Sequence, residues 1–244
     1  MVGGFEGYVG IRLWDGQRVD DLVLALLIIL FVCFAWVFRT HPHVFARMMG
    51  DVIHMKEREN LFEDVKGNEF FFHNFMNYHA LILCAICLFL IAWAEGFYSQ
   101  LLEENALLSI GLISVALVLF YWGKNFLYSL FASVFTDPDK YKFWRTGYDA
   151  IVGTWGVSLY IPALLLVFVN MNVQIPILLF IFSYITSRIV IIYKTIRIFH
   201  KKNSSYLYLS LYLCGQEILP LFLLWKAMVV CITFMSQVLY GNEY

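Results

Sequence analysis

The 244-residue chain predicts an all-α fold, a polytopic transmembrane helical bundle of six spans with both termini outside, and three observations predict it. It is 61% hydrophobic and only 14% charged, where a water-soluble domain carries about a quarter charged residues. Its apolar residues gather into stretches long enough to cross a hydrocarbon core of ~30 Å, which takes about 20 helical residues. Its Lys and Arg residues collect in alternate connections, the asymmetry that orients membrane spans. A net charge of −1 supplies no long-range attraction to nucleic acid, so none is expected as a partner.

The first span is expected at Leu22–Phe38, short but closed by Trp36 and Phe38. Glu6, Arg12, Asp15, Arg18, Asp20 and Asp21 precede it, and no small-residue cleavage site follows it, so it is expected to remain in the mature protein. The connection at 39–70 is expected to form a cytoplasmic amphipathic segment. Val44, Phe45, Met48, Val52 and Met55 recur there at helical spacing, with Arg47, Asp51, Lys56, Glu57 and Arg58 between them. Two placements satisfy that pattern, a helix lying on the inner membrane face and a cap packed over the bundle.

The second span, about Phe71–Ala94, carries Cys84-x-x-Cys87, which on a helix in lipid reads as two small hydrophobes rather than a redox or metal pair. The third, Ala106–Phe135, is too long to stand upright and must tilt or emerge. Ala150–Ser187 contains no formally charged residue but is punctuated by Asn170, Asn172 and Pro176; it divides into spans at about Ile151–Val169 and Pro176–His200. The sixth, about Ser205–Tyr240, is over-long and interrupted by Pro220. Arg39, Arg47, Lys56, Arg58 and Lys66, then Lys140, Lys142 and Arg145, then Lys194, Arg197, Lys201 and Lys202 fall in alternate connections, which places those connections in the cytoplasm.

Ionisable groups inside spans are expensive unless paired or wetted, so function is sought there first. Lys124, Arg188, Glu217 and Lys226 qualify. Lys124 and Glu217 lie ~18 Å by helical rise from the inner ends of over-long spans, and Arg188 lies ~18 Å from the outer end of its span. The three are expected to share a depth in the inner half of the membrane, with Glu217 neutralising Arg188 and Lys124. Lys226 follows Glu217 by about 900° of helical rotation, on the opposite face unless Pro220 kinks the span. Such residues serve to fix helix register, to carry a proton, an ion or an anionic ligand, or simply to snorkel to the interface without partners. His41, His43, His54, His73 and His79 group near the inner ends of the first two spans and are the weak candidates for metal or haem, though their spacings match no metal motif. No cofactor is expected, and no Walker loop or nucleophile elbow is present.

Tyr212-Leu213-Cys214-Gly215-Gln216-Glu217-Ile218-Leu219-Pro220-Leu221, followed by Lys226, resembles the most recognisable segment of a family of polytopic inner-membrane proteins of unknown function from Bacteroidota. The aromatic fifth span leading into Lys194–Lys202 is similar too. Members of that family are often encoded near a uroporphyrinogen-III synthase. The resemblance implies a multi-span inner-membrane protein, draws attention to Glu217, Pro220 and Lys226, and brings no established catalytic residue.

The expected role is that of a non-enzymatic accessory or scaffold subunit of an envelope complex, embedded in the lipid bilayer beside a membrane-protein partner or a second copy of itself. The alternative is a transporter or proton- or ion-conducting protein built on the Glu217–Arg188 cluster. A third, a haem- or lipid-related membrane enzyme, would draw on the inner-face histidines.

Overall fold

A computed structural model describes residues 17–53, 67–94, 106–135, 138–168 and 173–199. His54 and the expected sixth span, with Glu217, Pro220 and Lys226, lie outside the described residues. The regular structure among the described residues is helical: α1 (Gln17–Thr40), α2 (Pro42–Ile53), α3 (Gly67–Ala94), α4 (Ala106–Phe135), α5 (Pro138–Ser158), α6 (Tyr160–Phe168) and α7 (Gln174–Phe199). Five stretches are long and apolar enough to cross a membrane: Asp21–Thr40, Phe70–Ala94, Ala106–Leu130, Tyr141–Phe168 and Gln174–Arg197. The chain is a membrane-embedded helical bundle.

Local chemistry sets the breaks. Pro42 has no N–H to continue α1, so the chain turns at His41, whose own N–H still bonds Val37 O at 3.1 Å while its carbonyl accepts from Val44 and Phe45. Thr40 Oγ1 donates back to Trp36 O at 2.8 Å, one turn earlier in α1. Between α5 and α6, Pro162 removes the hydrogen bond that Ser158 O would receive, and the helix bends at Leu159. Leu159 N is shared between Trp155 O and Gly156 O, and Ala163 N resumes the ladder by bonding Leu159 O at 3.1 Å. In α7 the proline, Pro176, falls in the first turn, where its missing donor has no intrahelical partner to lose.

α3 is the central helix: 67% of its apolar window is buried, against 17% for those of α1, α4 and α7. Spans consecutive in the chain alternate in direction. α3 and the α5–α6 pair run parallel, with Gly153 facing Met76 and Leu159 reached by Cys87 further along. α7 runs back along α5, pairing Tyr184 with Trp155 and Thr195 with Trp144. α1 runs against α3, since Val37 packs with Phe72 while Val23 and Leu27 share a cluster with Phe89. The outward faces are apolar, including Ile28, Val32 and Trp36 of α1, Leu112, Val115 and Leu119 of α4, and Leu178, Ile185 and Ile189 of α7. Lipid rather than water is the medium such faces match.

In lipid the hydrophobic effect does not draw helices together, so close packing and interhelical polar contacts must. Among the described glycines the tightest approach is at Gly156, where an added Cβ would run into Ala80 and stand 2.7 Å from the Ala80 Cα. Only a glycine admits α3 at that point. Cys84 and Cys87 are buried in the apolar core as small side chains.

One feature differs from the sequence expectation. The helix of the fourth span begins at Pro138 and its apolar stretch at Tyr141, upstream of Ile151, so Arg145 and Asp149 belong to the bundle rather than to a loop. They satisfy each other one turn apart, which lets a helix carry both inward. Of the two placements open for the 39–70 segment, α2 adopts packing on the bundle: Met48 is buried with Val37, Phe72, Met76 and Ala150, with Val44 and Phe45 against them.

Candidate functional site

The described bundle concentrates its polar chemistry at one level, where α3, α4 and α5 meet. Asn77 Nδ2 donates to Tyr121 OH at 2.9 Å and to Asp149 Oδ1 at 3.0 Å. Tyr121 OH donates to the same Asp149 Oδ1 at 3.0 Å. Arg145 Nε donates to Asp149 Oδ2 at 3.1 Å, and Arg145 Nη2 approaches Tyr121 OH at 3.4 Å. The Arg145 guanidinium also lies 5.9 Å from the ring centres of both Tyr121 and Tyr148. Thus one carboxylate receives donors from three helices.

Helical rise gives the depth of this layer three times over. Counting from the end of each apolar stretch nearest the Lys- and Arg-rich connections, Asn77 is seven residues in from Phe70, Asp149 eight from Tyr141 and Tyr121 nine from Leu130. At ~1.5 Å per residue these are ~10, ~12 and ~14 Å, about a third of the way through a ~30 Å core. Three separate helices therefore bring their polar residues to one depth, as interhelical pairing in oil requires.

Lysines surround the layer. Lys124 is buried on α4 with its Nζ 5.4 Å from the Tyr128 ring centre and 5.8 Å from that of Tyr148. Lys194 is buried on α7 against Gly147, where an added Cβ would stand 2.9 Å from its Nζ. Trp144 Nε1 donates to Thr195 Oγ1 at 2.9 Å beside it, and Trp144 stacks on Tyr148 and takes Tyr128 edge-on to form an aromatic wall. Arg188 lies one and a half turns deeper on α7, its guanidinium 4.7 Å from the Tyr184 ring centre. Of the residues predicted to cluster, Lys124 and Arg188 sit on different helices in the same half of the bundle, each against tyrosine.

The histidines are dispersed. His41 stands at the α1–α2 junction with its ring 6.4 Å from that of Phe72, and His43 is exposed in the first turn of α2. His73 lies on α3 beside Phe72. His79 is held deeper, sandwiched between Phe34 and Phe75 at ring distances of 5.7 and 5.8 Å, and shares a 2.8 Å hydrogen bond with Tyr160 OH. Among the described residues no three His, Cys, Asp or Glu side chains come together as a metal site.

Outside the layer, the Pro162 bend opens a cleft of about 400 Å³ between α5–α6 and α7. Its walls are mostly apolar, with Ser158 and Ser183 hydroxyls bonded to each other at 2.7 Å. Asn77, Arg145 and Asp149 were not singled out from the sequence. The signal was there in the Arg145–Asp149 spacing of four, the i,i+4 arrangement by which an ion pair enters a helix already neutralised.

A family model described as a domain of unknown function, DUF4271, matches residues 23–228. No curated protein and no solved structure matches the chain.

Proposed function

The chain belongs to the DUF4271 family, and on that premise we propose that it is a non-enzymatic accessory or scaffold subunit of an envelope complex in a bacterial inner membrane, with both termini outside. The observation that carries this is the Asn77–Tyr121–Asp149–Arg145 layer, which spends its polar groups on holding α3, α4 and α5 to one another. A bundle locked in this way presents fixed apolar faces, and those of α1, α4 and α7 are broad enough to seat a neighbouring membrane helix as well as lipid. Photo-crosslinkers placed at Val115 and Ile185 in native membranes test it. The expected result is one discrete adduct, either with a single membrane protein or with a second copy of the chain. Crosslinking to lipid alone would contradict a scaffold role.

A second reading is favoured by charge. Lys124, Arg145, Arg188 and Lys194 stand in the same half of the described bundle as Asp149. Glu217, from the expected sixth span, is the proposed acid for Arg188 and Lys124, and Pro220 the proposed bend beside it. A proton or ion path through that cluster predicts that Glu217→Gln abolishes flux in proteoliposomes while leaving thermal stability intact. Retained flux, or a loss of stability without flux in the wild type, returns the cluster to a register-fixing role.

A further inference from the structure

We infer that the layer joining α3, α4 and α5 is a hydration site, holding water molecules on the carbonyl oxygens of Asn77 and Asn125. Asn77 is 1% exposed, and its Nδ2 is fully used by Tyr121 and Asp149, yet its Oδ1 has no hydrogen-bond partner. Asn125, one turn along α4 from Tyr121, likewise has a buried Oδ1 with no partner. Both orphans are acceptors, and both flank the same hub. A buried acceptor left unsatisfied costs about 1–3 kcal/mol, and buried water is the usual remedy, making about three hydrogen bonds per molecule.

The charges around the two oxygens decide which ligand fits. An anion would meet the negative ends of two amide dipoles. A metal cation would meet the Arg145 guanidinium, within 3.4 Å of Tyr121 OH, and the Lys124 ammonium beyond it. A small neutral donor with two hydrogens satisfies the acceptors without either conflict, and water is that molecule. The side chains of Arg145 and Asp149 retain 27% and 15% exposure at a depth of ~12 Å, so the layer is not sealed off by the bundle. The inference stands apart from both functional readings, since it concerns occupancy of the layer and not flux or partners. Hydrating an ion pair a third of the way into the core also lowers the expense of keeping it there.

X-ray radiolytic footprinting of the full chain in lipid nanodiscs tests this, because hydroxyl radicals form from bound water and label the side chain beside it. Tyr121 is the reporter and Tyr128, 2% exposed with the same ring chemistry, the reference. The expected result is Tyr121 labelling several-fold above Tyr128, falling to the Tyr128 level in Asn77→Leu and Asn125→Leu. Equal labelling of the two tyrosines in the wild type overturns the inference, as does labelling of Tyr121 that folded leucine variants leave unchanged. Should either leucine variant fail to fold, Asn77→Met or Asn125→Met takes its place, because Tyr121 is 9% exposed and Tyr128 2%, and the wild-type difference alone does not separate bound water from exposure.

Discussion

The Tyr121 hydroxyl joins α3, α4 and α5, accepting from Asn77 and donating to Asp149. Tyr121→Phe leaves the ring in place and strips both neighbours of one bond. We expect it to lower stability in nanodiscs by about 1–3 kcal/mol, read as a lower Tm, whereas an unchanged Tm would mean the two bonds contribute nothing. At this scale the sequence is legible where charge is isolated. Lys124 and Arg188 stand out because no opposite charge lies within a turn of either, and both prove to lie in the bundle. Arg145 and Asp149 escape notice for the opposite reason, since a neutralised pair at the start of an apolar run looks like the end of a loop. Asn77 carries no charge at all, and its importance comes from partners 44 and 72 residues away.

Among the elements, the α3–α5 contact depends on Gly156 having no side chain. Gly156→Ala drives a methyl into Ala80, with backbone only 2.7 Å away, and neither helix can yield without moving its neighbours. The expected loss is about 1–3 kcal/mol, with Gly153→Ala costing less because its nearest obstacle is the Met76 Cβ at 3.0 Å. Equal Tm values for both variants and the wild type would show that the helices do not approach as described. Element bounds follow the hydropathy closely where apolar runs end in polar connections, as at Ala106–Phe135. They fail at the fourth span, where helix continues through charge, and the bend at Pro162 was hidden because proline inside an apolar run is common in membrane helices. The role of α2 was open for a comparable reason: an amphipathic face fits a membrane surface and a bundle flank equally well, and the partners of Met48 decide it.

For the whole molecule, the account rests on a general point: oil gives helices no reason to associate, so a buried polar layer and one glycine contact supply the specificity. The all-helical class, the membrane medium and the alternating helix directions were legible in composition and spacing alone, because each is a property of long stretches. The depth-matched layer was not, because it depends on how three helices align, which no single stretch encodes. A double-mutant cycle on Asn77 and Asp149, which bond across α3 and α5, measured by reversible unfolding in lipid, tests the claim most directly. Asn77→Leu should cost about 1–3 kcal/mol and Asp149→Leu about 2–3 kcal/mol, the latter below the 3–5 of a fully buried pair because Asp149 and Arg145 keep some exposure. The double variant should cost less than the sum of the two, since both changes remove the same interhelical bond. Strictly additive effects would show that this bond does not hold α3 to α5 and would contradict the account.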